Sequence, residues 1–106
     1  MTISDVSFDG NKYTVFDEDS REVNGVYAGN CGELCGFGKD FLVCEDGDRY
    51  LIVNAENSNE IERLYRSNVG TFKHANGRLI VFKNDSKLVV HEVGCSGVSE
   101  ISSRYV

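Results

Sequence analysis

Phe41-Leu42-Val43-Cys44 and Tyr50-Leu51-Ile52-Val53 are two apolar runs rich in β-forming residues, separated by Glu45-Asp46-Gly47-Asp48-Arg49. The Asp-Gly dipeptide in the separator is typical of tight turns, so the stretch predicts a β-hairpin. Neither run alternates apolar with polar residues, and this predicts strands that are covered on both faces.

A second stretch repeats this design. The runs Leu79-Ile80-Val81-Phe82 and Leu88-Val89-Val90 flank the turn-forming segment Lys83-Asn84-Asp85-Ser86-Lys87. At a constant offset the aligned pairs are Leu42 with Ile80, Val43 with Val81, Cys44 with Phe82, Asp46 with Asn84, Arg49 with Lys87 and Leu51 with Val89. Repeat architectures need roughly three units to bury their faces. The pattern is therefore interpreted as two similar hairpins, not as a propeller or a solenoid.

The flanking segments predict further elements. Residues 2–16, with Asp9-Gly10-Asn11 at their centre, predict a third hairpin. Residues 23–38 hold five glycines and predict a loop in which Val26-Tyr27 pairs as a short strand. Residues 95–106 carry spaced apolar residues and predict an edge strand.

The segment between the two apolar hairpins fits two structures. Ile61, Leu64 and Tyr65 share one face of a helix over residues 58–67, while Ile61, Arg63 and Tyr65 also fit a strand. The capping and charge pattern favours the helix, and a strand over 69–74 follows it, ending at an Asn76-Gly77 turn.

Together these features predict a single domain over residues 1–106. The expected fold is mainly β (β-rich α+β), an antiparallel, hairpin-built curled sheet or small barrel with one short helix. The 41% apolar and 26% charged residues are typical of a folded domain.

The charge balance indicates which classes of partner the chain can bind. The chain has 11 Lys and Arg against 17 Asp and Glu, a net charge of −6, and its basic residues are scattered. This charge repels nucleic-acid phosphates and anionic lipid and favours a basic protein. No apolar run approaches the ~20 residues of a membrane span, and no signal peptide begins the chain. We therefore expect a cytoplasmic protein.

The cysteines and the histidines suggest two kinds of chemistry, and the sequence supports each of them only weakly. Cys31 and Cys35 lie four residues apart, unlike the closer pair of thioredoxin-like sites, and a zinc site would need Cys44 and Cys95 as well. A metal or redox module is one alternative, but no metal or cofactor is predicted. A small hydrolase or nuclease using His74 and His91 as an acid-base pair is the other. No catalytic motif supports it, so the chain is predicted not to be an enzyme.

Two acidic groups remain, and they carry the leading hypothesis. The first is Asp17, Glu18, Asp19 and Glu22, and the second is Glu45, Asp46 and Asp48. Neither has the ligand spacing of a calcium loop. The groups are either solvated turns or an acidic face that attracts a basic protein, with Tyr27 and Phe37 as aromatic anchors.

The function that fits these features best is a small, acidic, non-catalytic binding protein. Its most concrete form is a stoichiometric inhibitor, such as an immunity protein that neutralises a nuclease-type toxin. Such toxins carry basic substrate-binding surfaces that an acidic protein can cover. This hypothesis follows from the charge and the size of the chain, not from a resemblance to a known family.

Overall fold

The computed structural model describes residues 1–106, and the chain is mainly β, with 64% of its residues in strands. The strands are β1 (Ile3–Phe8), β2 (Lys12–Asp17), β3 (Glu22–Tyr27), β4 (Glu33–Phe37), β5 (Phe41–Asp46), β6 (Arg49–Asn54), β7 (Glu60–Tyr65), β8 (Thr71–Asn76), β9 (Leu79–Asn84), β10 (Lys87–Val93) and β11 (Val98–Tyr105). Two helical turns, α1 (Ala28–Cys31) and α2 (Arg66–Val69), follow β3 and β7. The predicted class and the three predicted hairpins are confirmed.

The strands form three antiparallel sheets that do not close into a barrel. Sheet 1 is β1-β2-β3, sheet 2 is β4-β5-β6-β7, and sheet 3 is β8-β9-β10-β11, each in sequence order. Hence every connection within a sheet is a short turn between neighbouring strands. The tail was predicted as an edge strand, and β11 is the edge of sheet 3.

The three sheets repeat every 38 residues. Ile3, Phe41 and Leu79 begin equivalent strands, and so do Glu22, Glu60 and Val98. The interpretation as two similar hairpins is therefore too narrow, because the hairpins are the centres of two larger units and a third unit precedes them. Successive meanders packed face on face are the arrangement of neighbouring blades in a β-propeller. Here three such sheets form an open array.

The hydrogen bonding and close contacts at the two junctions between sheets also repeat. The Tyr13 hydroxyl accepts a bond from the Leu34 N–H at 3.0 Å, and the Tyr50 hydroxyl accepts one from the Phe72 N–H, also at 3.0 Å. Gly32 and Gly70, with φ of 96° and 92°, end the two helical turns. A Cβ on either glycine would collide with a carbonyl oxygen of the hairpin beneath it.

Sheet 2 lies between two cores. The first core joins it to sheet 1 and includes Val15, Val26, Leu42, Cys44 and Leu51. The second core joins it to sheet 3 and includes Phe41, Tyr50, Ile52, Ile80 and Phe82.

The prediction of strands covered on both faces is right for β5 and β6 but wrong for the second hairpin. Residues Phe41–Cys44 are fully buried, whereas β9 alternates between buried and exposed residues. The reason is that sheet 3 has a packed neighbour on only one side.

The predicted helix over residues 58–67 is wrong, and the strand alternative is right. The segment forms β7, and α2 begins only at Arg66. A bulge causes the misleading pattern: Ile52 pairs with Glu62 while Val53 pairs with Glu60, so Ile61 is an extra residue. Ile61 and Leu64 can then both pack on the second core although they are three residues apart. A bulged strand thus has the same apolar spacing as a helix.

Within residues 23–38 the predicted pairing of Val26-Tyr27 is confirmed, since both lie in β3, but the prediction of a loop for the rest is wrong because the segment also contains α1 and β4. Three of its five glycines, Gly32, Gly36 and Gly38, lie where another part of the chain approaches closely, whereas Gly29 has open space around it. A Cβ on Gly36 would lie 2.9 Å from the Phe72 ring, and one on Gly32 would strike the Glu45 carbonyl. Glycine density here reflects the tight approach of one sheet to the next.

One residue hydrogen-bonds to both neighbouring sheets. Lys39, in the turn between β4 and β5, accepts a bond from the Ile3 N–H at 2.7 Å. Its own N–H donates to the Gly77 carbonyl, also at 2.7 Å. We call the end of the sheets that carries this residue and the turns at 17–22 and 54–60 the Lys39 end. The end that carries α1 and α2 is the helical end.

Candidate partner-binding surface

The first acidic group forms the turn between β2 and β3, at the Lys39 end. Asp17 is 6% exposed, and its carboxylate accepts bonds from the backbone N–H groups of Asp19 and Arg21, both at 2.9 Å. The bond from the Arg21 N–H is the main reason that the pKa of Asp17 is lowered. Asp17 therefore shapes the turn, and the side chains left on its surface are Glu18, Asp19 and Glu22.

Glu18 and Asp19 already have contacts within the chain. The Glu18 carboxylate accepts a bond from the Thr2 N–H at 2.7 Å, and Asp19 pairs with Arg21 at 3.3 Å. Glu22, the first residue of β3, is exposed and has no ion pair. The turn is thus ordered by its own hydrogen bonds.

The second acidic group lies at the helical end, in the turn between β5 and β6. Glu45 pairs with Arg66, and Asp46 pairs with Arg49 at 3.4 Å. Arg66 also lies 5.6 Å from the centre of the Tyr50 ring and donates to the Gly47 carbonyl at 3.2 Å. Of this group only the Asp48 side chain has no basic partner.

The structure therefore does not combine the two predicted groups into one face. They lie at opposite ends of the antiparallel strands, and basic side chains neutralise most of the second group. Any single partner surface must be built from one of them.

The first group gains carboxylates that sequence reasoning did not assign to it. The turn between β6 and β7 lies beside it, joined by a 2.8 Å bond from the Asn24 side-chain amide to the Ser58 hydroxyl. This turn adds Glu56 and Glu60, both exposed. The 38-residue period could have indicated part of this pairing, because Glu22 and Glu60 begin equivalent strands.

We call Glu18, Asp19, Glu22, Glu56 and Glu60 the acidic end surface. The basic residues beside these carboxylates are already paired. Arg21 contacts Asp17 and Asp19, and Arg63 contacts Glu60 at 3.1 Å. The surface therefore keeps a negative balance at the edges of sheets 1 and 2.

The predicted aromatic anchors lie elsewhere. Tyr27 is 52% exposed, but it ends β3 at the helical end. Phe37 is half-buried and packs against the first core. Neither lies on the turns that form the acidic end surface.

The four cysteines have different surroundings. Cys31 and Cys44 are buried in the first core, where the interaction between their side chains lowers the pKa of Cys31 and, with burial, raises that of Cys44. Cys35 and Cys95 are exposed. Although Cys35 is exposed, partial loss of water around its thiol, together with the negative charges of Glu45 and Glu33, raises its pKa. A reactive thiolate needs the opposite shift. The predicted Cys31 and Cys35 pair is thus divided between core and surface.

The two histidines also occupy different places. His74 pairs with Val81 and His91 with Ile80, which puts them on opposite faces of sheet 3. His91 is 8% exposed and lies against the Phe82 ring, with 5.4 Å between ring centres. The structure does not bring them together as an acid-base pair.

A cavity of about 660 Å³ opens between the edge strands β4 of sheet 2 and β8 of sheet 3. Its lining includes Cys35, Phe37, Lys39, Phe72 and His74. Lys39 and Lys73 line it without any carboxylate, so it differs in charge from the acidic end surface.

Comparisons with protein-family models, with curated proteins and with solved structures gave no significant match to this chain. Neither helical turn, at four residues each, is long enough to cross a membrane.

Proposed function

We propose that this protein is a non-catalytic binding protein that holds a basic protein partner on its acidic end surface. The observation that carries the proposal is the gathering of five exposed carboxylates on two adjacent turns of different sheets. Arg21 and Arg63 neutralise two of these carboxylates, Asp19 and Glu60, and leave Glu18, Glu22 and Glu56 without an ion pair. A partner rich in Lys and Arg would meet a surface with unused negative charge.

The rigidity of the turns favours binding over simple solvation. Asp17 fixes the first turn through two backbone bonds, and the Asn24 to Ser58 bond fixes the second turn to β3. Carboxylates held in place lose less conformational entropy when they bind than free side chains do. The net charge of −6 adds long-range attraction, which raises the association rate at low salt.

In its most specific form the proposal is a stoichiometric inhibitor, as an immunity protein is for a bacterial toxin. A nuclease needs a basic surface to hold its substrate, and the acidic end surface would cover such a surface. Inhibition would follow from occlusion and would need no chemistry from this chain. The partner would supply the Lys, Arg and aromatic anchors that the interface centre requires.

The test starts from the tagged protein, used as bait in lysate of its source together with the products of its neighbouring genes, at low and moderate salt. The test variant carries Glu18→Gln, Glu22→Gln, Glu56→Gln and Glu60→Gln. The control variant removes four charges from other parts of the surface through Glu33→Gln, Asp46→Asn, Asp48→Asn and Asp85→Asn. Both variants have the same net charge, so general electrostatics are matched.

We expect one basic protein to be retained in stoichiometric amount by the wild type and by the control. The test variant should bind it about 10-fold to 100-fold more weakly, since each rim charge contributes a few tenths of a kcal/mol or more. If the partner is a nuclease, its activity should fall to zero at one equivalent of wild type. Equal weakening in both variants, or no basic partner at either salt concentration, would refute the proposal.

A further inference from the structure

We propose that the outer face of sheet 3 binds a second copy of this chain, as a two-fold dimer. The apolar centre of this face is formed by Leu79, Val81, Leu88 and Val90 on β9 and β10, and the edge strands β8 and β11 add polar residues beside it, among them His74 and Ser102. The proposal does not depend on the acidic end surface, because none of these residues belongs to it.

The 38-residue period shows what this face is equivalent to. Its four apolar residues occupy the positions of Phe41, Val43, Tyr50 and Ile52 in sheet 2. Those four are 0–1% exposed, because sheet 3 packs on them in the second core. The equivalent face of sheet 3 has no sheet on it, and Leu79 is 37% exposed. The chain thus keeps an interface-type apolar face at a place where nothing in its own fold covers it.

Head-to-tail addition of another copy does not fit this face. It would put the outer face of sheet 1 on sheet 3, and the centre of that face is polar, with Ser7, Thr14 and the Lys12 side chain across Gly25, while its aromatic residues, Phe16 and Tyr27, lie only at its two ends. In sheet 2, the surface that packs on sheet 1 is apolar, with Leu42, Cys44 and Leu51. A polar sheet does not match an apolar one.

The side chain of Leu88 also favours packing on a second copy in a two-fold dimer over head-to-tail addition. Leu88 is the second residue of β10, and Tyr13 and Tyr50, the second residues of β2 and β6, each use a hydroxyl to accept a bond from an N–H of the first strand of the next sheet. Leu88 has no such group, so the face retains apolar packing but not the bond that positions a following sheet of the same chain. An apolar surface without that directional bond can pack on a copy of itself.

Charged residues at the two ends of the face define how one copy is oriented relative to the other in the dimer. Lys83 and Arg104 both lie beside Leu88, while Glu92 lies beside Leu79 at the other end. A two-fold axis perpendicular to the strands puts Glu92 of each copy against Lys83 and Arg104 of the other. An axis parallel to the strands would oppose like charges. The charge pattern therefore selects the perpendicular axis.

The size of the face predicts a reversible dimer. Four strands about 4.8 Å apart and six residues long at about 3.3 Å each give a face of about 20 Å by 20 Å. That is smaller than the roughly 800 Å² per partner of a standard stable interface. We expect association in the micromolar range or weaker, which sedimentation equilibrium from about 1 µM to about 1 mM can resolve.

The experiment compares two lysine substitutions on strands of the full chain. Val81→Lys puts a charge in the centre of the proposed interface, and Thr14→Lys puts the same charge on the outer face of sheet 1. We expect Val81→Lys to raise the dimer dissociation constant at least tenfold and Thr14→Lys to leave it within about twofold. Thermal unfolding of both variants confirms that each is folded.

A charge exchange tests the orientation. Glu92→Lys alone should weaken the dimer, and adding Lys83→Glu and Arg104→Glu should restore it. A wild type that stays monomeric up to about 1 mM would overturn the proposal. Growth into larger polymers would also overturn it, because that outcome indicates head-to-tail packing. Neither outcome affects the binding of a basic partner, so the two proposals can fail separately.

Discussion

At the scale of single residues, the glycines at the junctions are the positions where the backbone has least freedom to change. Gly32 and Gly70 combine a positive φ with a carbonyl oxygen in the place of a Cβ. Gly10 has a similar φ of 98° but open space around it. Substituting alanine at each of the three glycines therefore distinguishes the cost of backbone strain, which all three share, from the cost of a steric collision, which only Gly32 and Gly70 have.

We predict that Gly70→Ala and Gly32→Ala lower the free energy of unfolding by about 2 kcal/mol more than Gly10→Ala does. The excess measures the collision with the hairpin beneath, since all three substitutions share the strain of positive φ. Urea unfolding of the purified variants gives the comparison. Equal losses at all three sites would mean that the junctions yield easily.

His91 makes stability depend on pH. Burial lowers its pKa below the usual 6.5, although Glu100 and Glu62 oppose this shift, and its Nδ1 has no hydrogen-bond partner. The folded state therefore disfavours the protonated ring more than the unfolded state does. The stability is fully present above pH 6.5 and falls as the pH drops through that value.

We predict that wild-type unfolding free energy decreases between pH 7.5 and pH 5 and that His91→Gln shows a smaller decrease over that range. The control is His74→Gln, which alters an exposed histidine of the same sheet. A decrease of the same size in all three proteins would assign the pH dependence to other groups.

At the scale of elements, β6 and β10 are equivalent strands that differ in how much of their side-chain surface is buried. Each is an inner strand, bonded on both sides within its sheet. Residues Tyr50–Val53 of β6 are buried throughout, while β10 alternates. Local opening of β10 exposes less apolar surface, so it should cost less free energy.

We predict that the backbone amides of β10 exchange with solvent at least about tenfold faster than the equivalent amides of β6. Hydrogen exchange at low protein concentration measures this, since a dimer would protect sheet 3. Equal rates in the two strands would show that the array opens only as one unit.

The elements also show where sequence reasoning succeeds. The turns at Gly47 and Gly77 and the apolar runs around them are local signals, and the hairpins follow from them. The helix over 58–67 failed because the bulge at Ile61 imitates helical spacing, and a bulge depends on pairing with β6. The glycine-rich loop failed because Gly36 is required by the distant Phe72 ring. Both errors come from contacts that the local sequence does not contain.

At the scale of the whole molecule, the candidate surface depends on the repeat. Composition correctly indicated an excess of acidic residues, but their grouping depends on which strand ends meet. The turns at 17–22 and 54–60 are far apart in the chain and adjacent in space, whereas the turn at 45–48 lies at the opposite end. The grouping could not be predicted from the sequence, because it depends on a tertiary contact between segments that are distant in the chain.

The position of Lys39 has a mechanical consequence. Its peptide groups are bonded to Ile3 on one side and to Gly77 on the other. A force that pulls the first sheet away from the third is therefore transmitted through the backbone of one residue in the turn of the second. The Lys39 backbone thus links sheet 1 to sheet 3 directly and resists their separation. Each of the two apolar cores, in contrast, resists only the separation of two adjacent sheets.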